Sequence, residues 1–163
     1  MARILLGLGS NIGREHHLKI GVQALQQLDP NLLLSPVYQS EAVGFDGDDF
    51  FNLVACLQVN IELSALVTYL TEVEHKYGRV KGELRFSAKT LDIDILTFDD
   101  RNGVFDGITL PREEILQNAF VLKPLADVCG DDIHPQQGKT YAELWRDMAD
   151  QMQPVTQCEL QLI

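Results

Sequence analysis

A chain of 163 residues with 45% apolar and 23% charged side chains has the length of one domain, 1–163, and the composition of a soluble globular protein. Its formal net charge of −11 repels a phosphate backbone over most of the surface, and no apolar run is long enough to span a bilayer. Nucleic-acid binding and membrane insertion are therefore set aside, and a monomer acting on small molecules is expected.

The first apolar run, residues 2–8, reads as a buried strand. It passes at once into Gly9-Ser10-Asn11, a turn and helix-cap signal, and offers no signal-peptide cleavage site. Leu18, Val22, Leu25 and Leu28 recur at helical spacing over residues 14–28, and Asp29-Pro30 stops that helix. Leu32 to Tyr38 reads as a strand, followed by a glycine-bearing polar loop at 43–49. Residues 50–60 read as a long strand, and Ser64 is placed to cap a helix carrying Leu66, Leu70, Val73 and Tyr77, with Gly78 to end it. Residues 91–98 alternate as a strand, and a further helix is expected near Tyr141 to Met148, after a less regular stretch around Pro111 and Phe120 to Leu125. The order strand, helix, strand, strand, helix, strand suits an α+β fold, a ferredoxin-like α/β sandwich with a mainly antiparallel sheet and its helices on one face, although other α+β arrangements satisfy the same order. Cys56, Cys129 and Cys158 are odd in number and widely spaced, so they read as buried or half-buried thiols of the reducing cytoplasm.

The chemistry concentrates around residue 92. Asp92 and Asp94 are two apart on a strand, so both carboxylates share one face while Leu91, Ile93 and Ile95 turn into the core. Such a pair suits a hard divalent cation such as Mg²⁺, which takes one or two carboxylates together with substrate phosphates; alone, it reads as a solvated strand face of an acidic protein. The neighbours decide. Lys76, Arg79, Lys81, Arg85 and Lys89 put five of the chain's 13 basic residues into the segment leading to that strand. Cations beside a metal-binding acid pair suit chemistry on a polyphosphate, where catalysis is mostly positioning and charge neutralisation. No P-loop and no Gly-x-Gly-x-x-Gly motif is present, so side chains and loop backbone must hold any nucleotide.

These motifs resemble the 6-hydroxymethyl-7,8-dihydropterin pyrophosphokinases: GLGSN at 7–11, FFNLVACLQV at 50–59, EHKYGRV at 74–80, RFSAKTLDIDILTF at 85–98 and FVLKPLADV at 120–128. The resemblance implies transfer of pyrophosphate from ATP to the pterin hydroxymethyl group, with AMP leaving, in folate biosynthesis. It implies that Asp92 and Asp94 bind two Mg²⁺ ions, with Arg79 and Lys89 as further catalytic cations and Asp94 as a candidate proton acceptor. It implies that Asn52 hydrogen-bonds the pterin, that Phe50 and Phe120 sandwich its ring, and that groups near Ser40 and Val43 complete its edge. Glu74, Lys81, Phe86, Ile95 and Arg112 fall where the family contacts ATP. Departures stand on the ATP side: Lys89 and Asn118 where arginines are usual, and Arg112 where a histidine is usual. Lysine offers a point charge in place of a bidentate fork. A paralogue acting on another pterin alcohol, or a non-catalytic pterin-binding module, are the alternative readings.

Overall fold

The structure, a computed structural model, describes residues 1–41, 48–77 and 90–162. Strand β1 (Ala2–Ser10) leads to helix α1 (Arg14–Leu28), then to β2 (Leu33–Leu34), β3 (Val37–Ser40) and the long β4 (Phe50–Val59). Helix α2 (Leu63–Lys76) and β5 (Asp92–Phe98) follow. A hairpin of β6 (Gly103–Phe105) and β7 (Ile108–Leu110), helices α3 (Ala119–Cys129) and α4 (Tyr141–Met148), and β8 (Thr156–Cys158) complete the chain. The main sheet runs β5-β1-β4-β3-β8, every pairing antiparallel, with β2 also paired to β4. The central four-strand order is the ferredoxin-like arrangement expected of the sequence.

One expectation about layers is corrected. Helices cover both faces of the sheet, not one. Alternate residues of β1 divide between two cores: Ile4, Leu6 and Leu8 pack with Leu18, Val22 and Leu25 of α1 and Leu66 and Leu70 of α2. Leu5, together with Val54, Cys56 and Leu96, packs with Val121, Leu122 and Leu125 of α3 and Tyr141 and Leu144 of α4. A strand buried on both faces reads as a continuous apolar run, which hides the second helical layer from inspection of β1 alone.

Local boundaries differ where polar side chains or proline intervene. The predicted Leu32–Tyr38 strand is split at Ser35-Pro36, where the Val54 N–H donates to Ser35 Oγ at 2.8 Å. Ser64 does not cap α2; Glu62 holds the N-cap position and Ser64 lies inside the first turn. Gly9 and Ser10 belong to β1, and α1 is entered instead through Gly13 at φ 54°, a left-handed position suited to glycine. Helix α4 begins as expected, with Thr140 and Glu143 forming a reciprocal capping box. Cys56 and Cys129 are buried, Cys158 is half-buried, and all three are free thiols. Among the described residues no helix is long and apolar enough to cross a membrane.

The most consequential irregularity lies in β5. Leu6 pairs with Ile95 but Leu5 pairs with Thr97, so Leu96 is an extra residue, a β-bulge. The bulge breaks the alternation expected through Phe98: Leu96 joins the α3–α4 core while Phe98 returns to the core that holds Ile93 and Ile95. It also directs the chain back to the sheet after the β6–β7 hairpin, because the Leu96 carbonyl accepts the Arg112 N–H at 2.9 Å.

Candidate active site

Residues paired directly across antiparallel strands point to the same face. One row crosses four strands: Asp92 on β5 opposes Gly9 on β1, Gly9 opposes Asn52 on β4, and Asn52 opposes Tyr38 on β3. A second row sets Asp94 against Gly7 and Gly7 against Val54, and Phe50 opposes Ser40 at the end of β4. Val54 and Leu96 belong to the core under α3 and α4, so all these side chains lie on that face. Phe120, in the first turn of α3, packs against the same core. Six positions foreseen for metal and pterin (Asp92, Asp94, Asn52, Phe50, Ser40 and Phe120) therefore come to one side of one sheet.

The two glycines make the floor. With no side chain at positions 7 and 9, the Leu96 side chain lies over Gly7 and the Asn52 amide over Gly9, while the acid pair and Asn52 stand two strand spacings apart, roughly 10 Å. A Cβ on Gly9 would lie 2.6 Å from Asn52 Nδ2 and 3.9 Å from Phe50 Cδ1, so the amide and the ring edge lean over this strand. Asn52 Oδ1 and Ser40 Oγ are buried with no hydrogen-bond partner among the described residues. An unmet buried acceptor costs about 1–3 kcal/mol. Two of them on the same face of the sheet, on neighbouring strands, mark a place suited to completion by a polar ligand.

The acid pair is held under electrostatic stress. Burial and the neighbouring Asp92 carboxylate push the Asp94 carboxyl up to about 8, against the opposing pull of Arg112. Arg112 Nη2 stands 3.5 Å from Asp94 Oδ1, and its Nε also pairs with Glu114. The bulge carbonyl explains this placement, since the Arg112 backbone is tied to Leu96, two residues beyond Asp94. Glu74, buried in the last turn of α2, accepts the Ile93 N–H at 2.9 Å on the outer edge of β5 and so braces the strand between the two aspartates. Two carboxylates side by side, one of them disfavoured as an anion, fit a hard divalent cation: bound charge would relieve the repulsion that the chain alone leaves.

Of the residues foreseen for ATP, Glu74 and Arg112 lie beside the acid pair, whereas the Ile95 side chain sits in the core on the opposite face from Asp94. Val43, Arg79, Lys81, Phe86 and Lys89 lie outside the described residues. Gly7 and Gly9 were not foreseen as parts of the site. The signal was the pair of glycines two apart in a strand, an interior position where glycine often marks close approach of another group.

Residues 5–130 match the family described as 7,8-dihydro-6-hydroxymethylpterin-pyrophosphokinase (HPPK). The 2-amino-4-hydroxy-6-hydroxymethyldihydropteridine pyrophosphokinase of Synechocystis sp. is 32% identical over 143 residues, covering 86% of this chain and 73% of that protein. The protein of the same name from Pseudomonas aeruginosa is 34% identical over 133 residues, covering 79% and 82%. Among solved structures, wild-type HPPK-DHPS of Plasmodium falciparum matches with a TM-score of 0.70 at 12% identity, over 92% of this chain. That likeness shows the fold, and this chain spans 46% of the Plasmodium chain.

Proposed function

This chain belongs to the 7,8-dihydro-6-hydroxymethylpterin-pyrophosphokinase family, and we propose that the α3-covered face of its sheet is where the transfer takes place. The enzyme moves the pyrophosphoryl group of ATP to 6-hydroxymethyl-7,8-dihydropterin in folate synthesis, giving the pterin diphosphate and AMP. The observation that carries the site reading is the row Asp92–Gly9–Asn52, which sets an acid pair on one side of a glycine floor and, on the other, an amide whose oxygen has no partner among the described residues.

Asn52 and Ser40 take the polar edge of the pterin, while Phe50 and Phe120 supply apolar faces for the flat ring. The hydroxymethyl group then points along the row toward β5. Its oxygen attacks the β-phosphorus of ATP, the bond from that phosphorus to the α-phosphate oxygen breaks to release AMP, and the hydroxyl proton passes by way of Asp94 to solvent. Asp92 and Asp94 would hold two Mg²⁺ ions, whose charge offsets that of the phosphate oxygens and aligns donor with acceptor. Arg112 and the basic residues Arg79, Lys81 and Lys89 add positive charge on the donor side, with Phe86 against the nucleotide base. Glu74 acts through the strand it braces, keeping Asp92 and Asp94 at a fixed separation. A monomer in the cytoplasm completes the proposal.

Purified protein supplied with ATP, Mg²⁺ and the hydroxymethyl-dihydropterin should release AMP and pterin diphosphate in equal amounts, and chelation of the metal should stop the reaction. Release of ADP, or faster turnover of a different pterin alcohol, would contradict this assignment.

A further inference from the structure

Tyr38 is the fourth member of the row that begins at Asp92, and the site described above gives it no task. It stands directly opposite Asn52 and two residues before Ser40, and it is 3% exposed. Its hydroxyl donates to Asp127 Oδ2 on α3, and the other Asp127 oxygen accepts the Lys123 ammonium at 2.6 Å. Lys123 Nζ in turn lies 5.9 Å from the ring centres of both Tyr38 and Trp145, so the ammonium is held over two aromatic faces. Asp127 and Phe120 are seven residues apart on α3, about two helical turns, which puts them on the same side of the helix.

Phe120 thus sits between two anchors. Upstream, Gln153 accepts the Ala119 N–H at 3.1 Å and donates to Asn118 Oδ1 at 2.9 Å. Downstream, Asp127 is tied to Tyr38. Between them Pro124 lacks the N–H that would bond the Phe120 carbonyl, so the helix's own ladder is weakest at this end. The Tyr38–Asp127 bond is thus a side-chain tie between α3, which carries Phe120, and β3, where Tyr38 stands opposite Asn52.

We propose that Tyr38 and Asp127 are positioning residues that set the width of the pterin slot by locking the Phe120 side of α3 to β3. The proposal rests on the reading that Asn52, Phe50 and Phe120 hold the pterin. It makes the bond a determinant of pterin affinity that leaves the ATP side alone.

The test measures pterin affinity by calorimetry on the full chain with saturating Mg²⁺ and a non-hydrolysable ATP analogue, and the affinity for that analogue separately. All variants are compared at a temperature where circular dichroism shows them folded, with Asn52→Ala as the reference for the slot. Tyr38→Phe, which keeps the ring and loses the donor, should weaken pterin binding roughly 3–10-fold, the scale of one ordinary hydrogen bond. Affinity for the nucleotide analogue should stay within about twofold. Asp127→Ala should match it, the double variant should be no worse than either, and Asp127→Asn, which keeps an acceptor oxygen, should restore most of the affinity. Unchanged pterin affinity in Tyr38→Phe, with only a lower melting temperature, would overturn the proposal and leave the bond a stabiliser of the core. Equal losses for pterin and nucleotide would also overturn it. If Asn52→Ala itself binds pterin normally, the slot is elsewhere and this inference falls with it.

Discussion

Gly9 and Asn52 face each other across the β1–β4 ladder so closely that a single carbon added to the glycine would come within 2.6 Å of the amide nitrogen. Position 7, on the same strand and face, is different: its added carbon would meet Leu96 at 3.5 Å, an ordinary contact. Gly9→Ala should therefore displace the Asn52 amide and weaken pterin binding by about 1–3 kcal/mol, the scale of a mispositioned polar contact. Gly7→Ala should cost pterin affinity less. Calorimetry on the two variants checks the difference, and equal losses would show that the amide is not held by the floor.

Phe120 is half-buried at the start of α3 and packs against the core on the α3–α4 side of the sheet. Phe120→Ala should weaken pterin affinity by about 1–3 kcal/mol through loss of a stacked ring. The same substitution should leave the circular dichroism of the folded chain unchanged. Unaltered pterin affinity in the folded variant would assign Phe120 to the core alone.

Much of this arrangement is legible from residue pattern. The 14–28 helix and the Asp92/Asp94 face are readable because each has one buried side and a clean period, and β4, buried on both faces, is readable as a continuous aromatic and apolar run. Helix α3 is harder to read: Pro124 lies inside it and its residues are apolar nearly all round, so neither a breaker rule nor an amphipathic stripe marks it. Packing of Val121, Leu122, Leu125 and Cys129 against the sheet outweighs the missing hydrogen bond. The Leu96 bulge is illegible for a different reason. Thr97 and Phe98 continue the strand in composition, and only the pairing with β1 reveals the extra residue. Arg112 follows from the bulge, so its place beside Asp94 depends on a contact distant in sequence.

His134 supplies a pH-dependent element away from the site. It is 1% exposed, and its Nδ1 accepts the N–H groups of Gln136 at 3.1 Å and Gln137 at 3.2 Å. Burial lowers its pKa below the ordinary histidine value. The unfolded chain therefore binds a proton that the folded chain refuses, so the contribution is whole above about pH 6.5 and is lost as pH falls through the folded value. Between about pH 7.5 and 5.5 the wild-type urea midpoint should lose ground relative to that of His134→Gln. Other titrating groups, Asp94 included, are common to both proteins and cancel in the comparison. Identical slopes would show that this imidazole does not govern the transition.

The claim that the Asp92–Asp94 pair is where ATP is activated meets its most direct test in Asp94→Asn. That substitution keeps the size of the side chain and removes one of two carboxylates held side by side. The rate of AMP release at saturating ATP, Mg²⁺ and pterin should fall by about 10²-fold or more, as expected when charge stabilisation and alignment of the metal are lost. The urea midpoint, measured in parallel, should be no lower than that of the wild type. A rate within about threefold of wild type would contradict the account and move the chemistry away from this face of the sheet.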